Sequence, residues 1–312
     1  MTNEFTPHYV TFSNIIIDDI VLSDGRTFMG MLGGAGTHAL IGMRLWSDKL
    51  GFVATIGLDF DDTYWAQLDR LGIDRRAIPI RENYQTARAW QLFEPDERRI
   101  EIMRTDIEEW FKFTPQFSDM PADYSQARGF HVQWGQTVEE LVGLLEKLRA
   151  ANPAVCLVWE PTPDHLENGE ADYRTVFPYF NLISPDRGEA QTITGEATVE
   201  GMIDTLLDWG APLVALRMGA EGSIVGTPQG QRWKLPAVPP TALIDVTGAG
   251  NAYCGGFLVG LGDGLAPLEA GLRAAVSASF GIEQFGVPEF DAAKFAEAER
   301  RLAWAREQVE VL

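Results

Sequence analysis

The chain has 312 residues, 46% of them apolar and 22% charged, a balance that excludes a disordered or low-complexity protein. Twenty-five lysines and arginines stand against 45 aspartates and glutamates, a formal charge of −20. A body this acidic repels phosphate backbones and anionic lipid, so nucleic acid and membrane surfaces are excluded as expected partners. Cys156 and Cys254 support neither a disulfide framework nor a zinc spacing, which fits a reducing cytoplasm. The start, MTNEFTPHYV, reads as no signal peptide, and the weakly polar run 248–262 is too short to span a bilayer.

In chain order, NIIIDDIVL, the turn Ser23-Asp24-Gly25 and RTFMGML predict a β-hairpin. GFVATIG (51–57) predicts a buried strand, followed by a helix from about Asp62 to Leu71. RAWQLFEPDERRIEIM predicts a second hairpin around Pro95-Asp96, with Trp90 and Leu92 answered by Ile100 and Ile102 on one apolar face. Thr137 and Glu140 form a capping-box pattern ahead of Leu141, Leu145 and Leu148. VCLVWE, FNLIS and LVALR read as strands, with a helix from Thr198 to Trp209 that stops at Gly210. Two helices close the chain, over about Pro267–Gln284 and Asp291–Val309. Strands alternating with helices predict one α/β core with a mostly parallel sheet covered on both faces, and the two hairpins predict a small antiparallel appendage. No repeat, linker or domain boundary interrupts residues 1–312.

The chemistry concentrates in DVTGAGNAYCGGFLVGL (245–261), where Gly248, Ala249 and Gly250 lead into a helical apolar run. Small residues let the backbone approach a ligand, and the free N–H groups of a helix start hold anionic charge such as a phosphoryl group in transfer. The same spacing also serves a plain loop-to-helix turn. Gly34-x-Gly36-x-x-Ala39 matches a dinucleotide fingerprint, with Asp59 at about the right distance. It follows a hairpin rather than opening a βαβ unit, which disfavours a nicotinamide oxidoreductase. No P-loop, HExxH or GxSxG is present, and His8, His38, His131 and His165 are scattered.

The collinear order of a Gly-Gly near residue 33, GLDFDD, SPDRGEAQTITG, RMGAEG and DVTGAGN resembles the PfkB (ribokinase-like) family of carbohydrate and nucleoside kinases over nearly the whole chain. The resemblance implies a three-layer α/β/α sandwich with a small β-sheet lid, here segments 12–32 and 86–104. It also implies ATP, Mg2+ and a small sugar or nucleoside as partners. On matching positions it assigns substrate hydroxyls to Asp18, substrate contacts to Gly33 and Gly34, and the anion-holding turn to Thr247, Gly248, Ala249 and Gly250. The nucleotide side falls to Arg217, Gly219 and Gly222, and the helix from Gly271 to Gln284 would pack beside the adenine. Asp186 and Glu189 match the family's magnesium element, although a helix-start Asp with Glu three residues on is also an ordinary cap. Some relatives imply a monovalent cation near Asp245 and a homodimer through the lid.

The departures from the pattern are informative. Asn251 stands where the family has the aspartate that takes the attacking hydroxyl's proton, and an amide cannot accept it at neutral pH. His38 replaces a sugar-contacting Asn and reads either as a sign of an unusual substrate or as a core histidine. Glu160 stands where Asp is common, Asp186 where Asn is, and Ser13 where Gly is. Two readings follow: an ATP-dependent kinase of a small alcohol that is slow or uses another proton acceptor, with Asp18 or water the candidates; or a weakened relative that binds nucleotide or sugar as a sensor or scaffold.

Overall fold

The computed structural model describes residues 5–94, 99–133, 137–161 and 169–312. It opens with β1 (Tyr9–Phe12), then the front hairpin β2 (Ile16–Val21) and β3 (Thr27–Gly33), then α1 (Ala35–Arg44). The strand expected over 51–57 is two elements, β4 (Leu50–Val53) and β5 (Ile56–Gly57), in different sheets. α2 (Asp62–Arg70) and β6 (Ile80–Arg81) follow, then the second hairpin β7 (Arg88–Phe93) and β8 (Arg99–Met103), and α3 (Ile107–Phe113). Its expected turn at Pro95-Asp96 lies outside the described residues, as does His165.

The middle of the chain alternates β9 (Gly129–Val132), α4 (Val138–Ala151), β10 (Cys156–Trp159), α5 (Glu170–Val176), β11 (Leu182–Ile183), α6 (Arg187–Thr194), α7 (Val199–Asp208) and β12 (Val214–Arg217). β13 (Ser223–Gly226), β14 (Arg232–Leu235), α8 (Ala249–Gly262), α9 (Pro267–Gly281), α10 (Ala292–Glu307) and β15 (Glu310–Val311) complete it. The predicted caps hold: Thr137 accepts from the Glu140 N–H, Thr198 accepts from the Gly201 N–H, and Gly210 ends its helix at φ +102°.

Among the described residues the main sheet has nine strands, in the order β15-β14-β13-β12-β11-β10-β9-β1-β4. From β4 to β12 the pairing is parallel, and β13, β14 and β15 add an antiparallel edge. One face buries Leu40, Met43, Phe257 and Leu272 of α1, α8 and α9. The other buries Leu141, Leu145, Leu148 and Ile203 of α4 and α7. Helix α8 sits between α1 and α9, and its glycines explain how. A Cβ at Gly255 would collide with the Ala39 backbone, and one at Gly256 would collide with Ser277. This close packing fixes where the helix, and the turn ahead of it, must start.

The small sheet runs β3-β2-β7-β8. Trp90 pairs with Ile102 and Leu92 with Ile100, as the alternation predicts. The sheet is not purely antiparallel, because the two hairpins join through a parallel pair, β2 with β7. The apolar face is turned outward, with Trp90 43% and Ile102 42% exposed, and the alternate residues, Gln91, Arg99, Glu101 and Met103 among them, face the main sheet across a cavity.

Candidate active site

The parallel strands end beneath the small sheet, and a cavity of about 310 Å3 lies between the two. Ser13 follows β1, Gln133 follows β9 and Glu160 follows β10, so this is the crevice outside the carboxyl ends of the strands. Its wall collects buried polar atoms without a protein partner among the described residues: Ser13 Oγ, His38 Nδ1, Gln91 Oε1, Glu160 Oε2, Thr247 Oγ1 and Asn251 Oδ1. Buried polar groups are almost always hydrogen-bonded, so this concentration marks a surface shaped for a polar ligand.

Asp18 comes from β2 and is 4% exposed. Its Oδ1 accepts from Gln91 Nε2 at 3.0 Å, and the same nitrogen donates to Glu101 at 2.8 Å. Burial pushes the Asp18 carboxyl up to about 7, against the Gln91 hydrogen bond and with help from Glu101 and Asp245. Asp19 faces the other way, taking the Gly30 N–H and the guanidinium of Arg104. Gly33 is outside the cavity wall but makes room for Asp18, because a Cβ there would overlap the carboxylate. Gly34 lines the cavity as the N-cap of α1, at φ +88° and with the Ile16 N 2.7 Å from where a Cβ would stand. Its conformation answers to this packing rather than to a dinucleotide turn.

A folded-state pKa raised above 3.8 means that Asp18 holds a proton the unfolded chain releases. Its contribution to stability therefore declines as pH rises from about 4 to about 7. Asp18→Asn is expected to gain about 2–3 kcal/mol more over the parent at pH 8 than at pH 5, read from denaturant melts. An equal difference at both pH values would show that Asp18 is not desolvated.

His38 joins the two halves of the site. Its ring lies against Gly248, where a Cβ would overlap it, and near Gly33. Burial pushes its pKa down to about 4, so it is neutral. Gly248 adopts φ +76° as the N-cap of α8, whose first-turn N–H groups have no intrahelical acceptor. The turn is pinned from both sides. Asp245 Oδ1 accepts from the Thr247 N–H at 2.8 Å, and Ile244 N–H donates to the Ile282 carbonyl at 2.9 Å. Thr247, Gly248 and Asn251 line the cavity, whereas Ala249 and Gly250 do not. Gly250 instead seats the helix, since a Cβ would run into Arg217 and Glu160.

Arg217 lies below that contact, paired with Glu160 and, at 3.2 Å, with Glu189, and donating to the Ser184 carbonyl at 3.0 Å. Its charge is engaged beneath the turn and does not line the cavity. Burial pushes the Glu160 and Glu189 carboxyls up and Arg217 opposes it. Asp186 is the N-cap of α6, accepting from Glu189 N–H at 2.8 Å, while Glu189 accepts from Asp186 N–H at 2.7 Å. Of that pair only Glu189 lines the cavity. Gly219 and Gly222 form a tight turn outside it.

Among the described residues no cluster of three or more His, Cys, Asp or Glu stands ready as a metal cage. The oxygens of Glu189, Glu160 and Asn251 around one cavity fit magnesium all the same, since that ion keeps waters and is completed by substrate phosphates. Sequence reasoning missed Gln91, Arg99 and Glu101. The alternation that placed Trp90 and Ile102 on one face put these on the other, and that signal could have found them.

A parallel sheet closed by a small mixed sheet over a polar crevice defines an α/β enzyme scaffold with its site at the strand ends. The sequence model described as pfkB family carbohydrate kinase matches residues 12–292, and the chain belongs to that family. The cytidine kinase of Thermococcus kodakarensis is 28% identical over 268 residues, 85% of this chain and 91% of its own. Two solved structures share the fold. The Methanocaldococcus jannaschii nucleoside kinase, a member of the ribokinase family, has TM-score 0.72 and 18% identity, over 96% of this chain and 100% of its own. Arabidopsis thaliana ribokinase complexed with ribose and ATP has TM-score 0.70 and 16% identity, over 96% and 99%. The architecture is thus ribokinase-like, and an E. coli protein solved in complex with ATP and Mg2+ shares it at TM-score 0.72 and 16% identity, over 95% of this chain and 99% of its own.

Proposed function

We propose that this chain transfers the terminal phosphoryl group of ATP to an alcohol of a small sugar or nucleoside held in the 310 Å3 cavity. The observation that carries the reading is the convergence of Asp18, Gly248 and Asn251 on one cavity with unpaired polar atoms between them. Asp18 accepts from the substrate hydroxyls, with Gln91 fixing its orientation. Gly248 and the first turn of α8 present N–H groups to the transferring phosphoryl charge, and Thr247 offers its unpaired Oγ1 beside them. His38, being neutral, holds the turn against the substrate side. Glu189 and Glu160, and in this role Asp186 through its cap, hold magnesium, which when bound neutralises phosphate charge. Gly219 and Gly222 shape the nucleotide side, and Asp245 is the candidate neighbour of a monovalent cation. In the reaction the alcohol oxygen bonds to the γ-phosphorus as the bond to the bridging oxygen breaks. ADP leaves with the electron pair, and the hydroxyl proton passes to Asp18 or water.

Thermal melting with ATP–Mg2+ tests the reading, since a ligand that binds only the folded state raises the midpoint. The expected result is a saturable rise in the parent and in Asp18→Asn, with phosphorylation of sugars or nucleosides lost only in the variant. No rise at any ATP concentration would contradict it. A second reading, binding without turnover as a sensor or scaffold, is favoured by Asn251, whose amide cannot take the proton.

The chain acts as one domain, with segments 12–32 and 86–104 as the lid. Its outward face, exposing Met29, Trp90 and Ile102, is the surface for a homodimer. Among the described residues no helix is long and apolar enough to cross a membrane, and the expected location is the cytoplasm. Light scattering of Trp90→Glu checks the dimer, with a halved mass expected and an unchanged dimer mass contradicting it.

A further inference from the structure

We propose that Arg99 is the cation that covers the transferring phosphoryl group from the small sheet. This inference rests on the kinase reading above.

Strand β8 alternates strictly. Arg99, Glu101 and Met103 line the cavity, and Ile100 and Ile102 face away from it. Among the described residues Arg99 is the only lysine or arginine on the cavity wall, and it makes no ion pair there. The other candidate cations are committed. Arg217 is held under the turn by Glu160 and Glu189, and Arg104 is bound to Asp19 on the opposite face.

The position of Arg99 follows from the cavity it lines, which has Asp18 on one side and Gly248 and Asn251 on the other, with His38 and Glu160 on the same wall. Its charge favours the charged form of Asp18, Glu160 and Asp245 and the neutral form of His38. A phosphoryl group passing between the Asp18 side and the Gly248 side crosses the cavity that this cation lines. The need for it is electrostatic. Asp18, Glu101, Glu160 and Glu189 put four carboxyls on the wall of a chain with net charge −20. Helix-start N–H groups supply only partial charge against a polyphosphate. Phosphoryl transfer depends on positioning and charge stabilisation, and a guanidinium fork matches phosphoryl oxygens.

The experiment compares the full chain with Arg99→Ala and Arg99→Lys. Thermal shifts are measured with ATP–Mg2+ and with ADP, Mg2+ and aluminium fluoride, which mimics the transferring group, together with kcat and KM on phosphorylated substrates. Arg99 is exposed on an edge strand, so melting without ligand is expected to be unchanged. Arg99→Ala is expected to keep the ATP shift, to lose the added stabilisation by aluminium fluoride, and to drop kcat about 10²–10³-fold with little change in KM for ATP. Arg99→Lys falls between. Full retention of the fluoride effect and kcat in Arg99→Ala overturns the proposal alone. Absence of both shifts in the unmodified chain overturns the kinase reading and this proposal with it.

Discussion

Asn251→Asp is expected to raise ATP-dependent phosphorylation by about 10²–10⁴-fold, the usual contribution of a positioned general base. The side chain sits where the proposed transfer would need such a base. It lies in the first turn of α8, lines the cavity with Asp18, and leaves Oδ1 buried and unpaired. A carboxylate of nearly the same shape adds the missing capacity to accept a proton. The pH profile separates the two proton routes. With Asp18 near 7, turnover of the unmodified chain is expected to climb as that carboxyl ionises, levelling above about pH 7. In Asn251→Asp the limb moves to lower pH. No gain in the variant while ATP still raises the melting point would show that residue 251 does not face the attacking hydroxyl.

Gly248→Ala is expected to lower turnover by at least about 10²-fold, comparable to losing oxyanion-type donors. Two costs coincide at this residue. Its φ of +76° is left-handed, and a Cβ would overlap the His38 ring. Relief requires either the turn to move off the cavity or His38 to leave its place between Gly33 and Gly248. Strain and overpacking together cost about 2–4 kcal/mol of stability. A double variant, Gly248→Ala with His38→Ala, is expected to recover stability in part but not turnover, because the backbone strain persists. Full recovery of turnover would locate the defect in the histidine contact and not in the turn.

Much of this architecture was legible from residue pattern. Local rules act where neighbours in sequence are neighbours in space, so the caps at Thr137 and Thr198 and the Trp90–Ile102 register followed directly. The break inside 51–57 was not legible, since β4 and β5 are separated by partners far along the chain: β1 for one, β6 for the other. The parallel joining of the two hairpins is long-range in the same way. At the site, small residues read as contacting substrate or cradling phosphate have divided positions. Gly248 lines the cavity, whereas Gly33 and Gly250 accommodate Asp18 and the Arg217–Glu160 pair. Spacing in a sequence cannot separate those roles, because both require the absence of a side chain. Arg217 read as a residue of the nucleotide side, and its pairing beneath the turn was hidden because its two carboxylate partners lie 57 and 28 residues away by number.

Phosphorus NMR of ATP and Mg2+ incubated with the unmodified chain and a panel of pentoses, hexoses and nucleosides decides whether this cavity transfers phosphate. One class of alcohol is expected to give a new phosphomonoester resonance in step with ADP, and Asp18→Asn to abolish it. Unchanged ATP, or ADP with only inorganic phosphate, across the whole panel and in Asn251→Asp as well, would contradict such transfer.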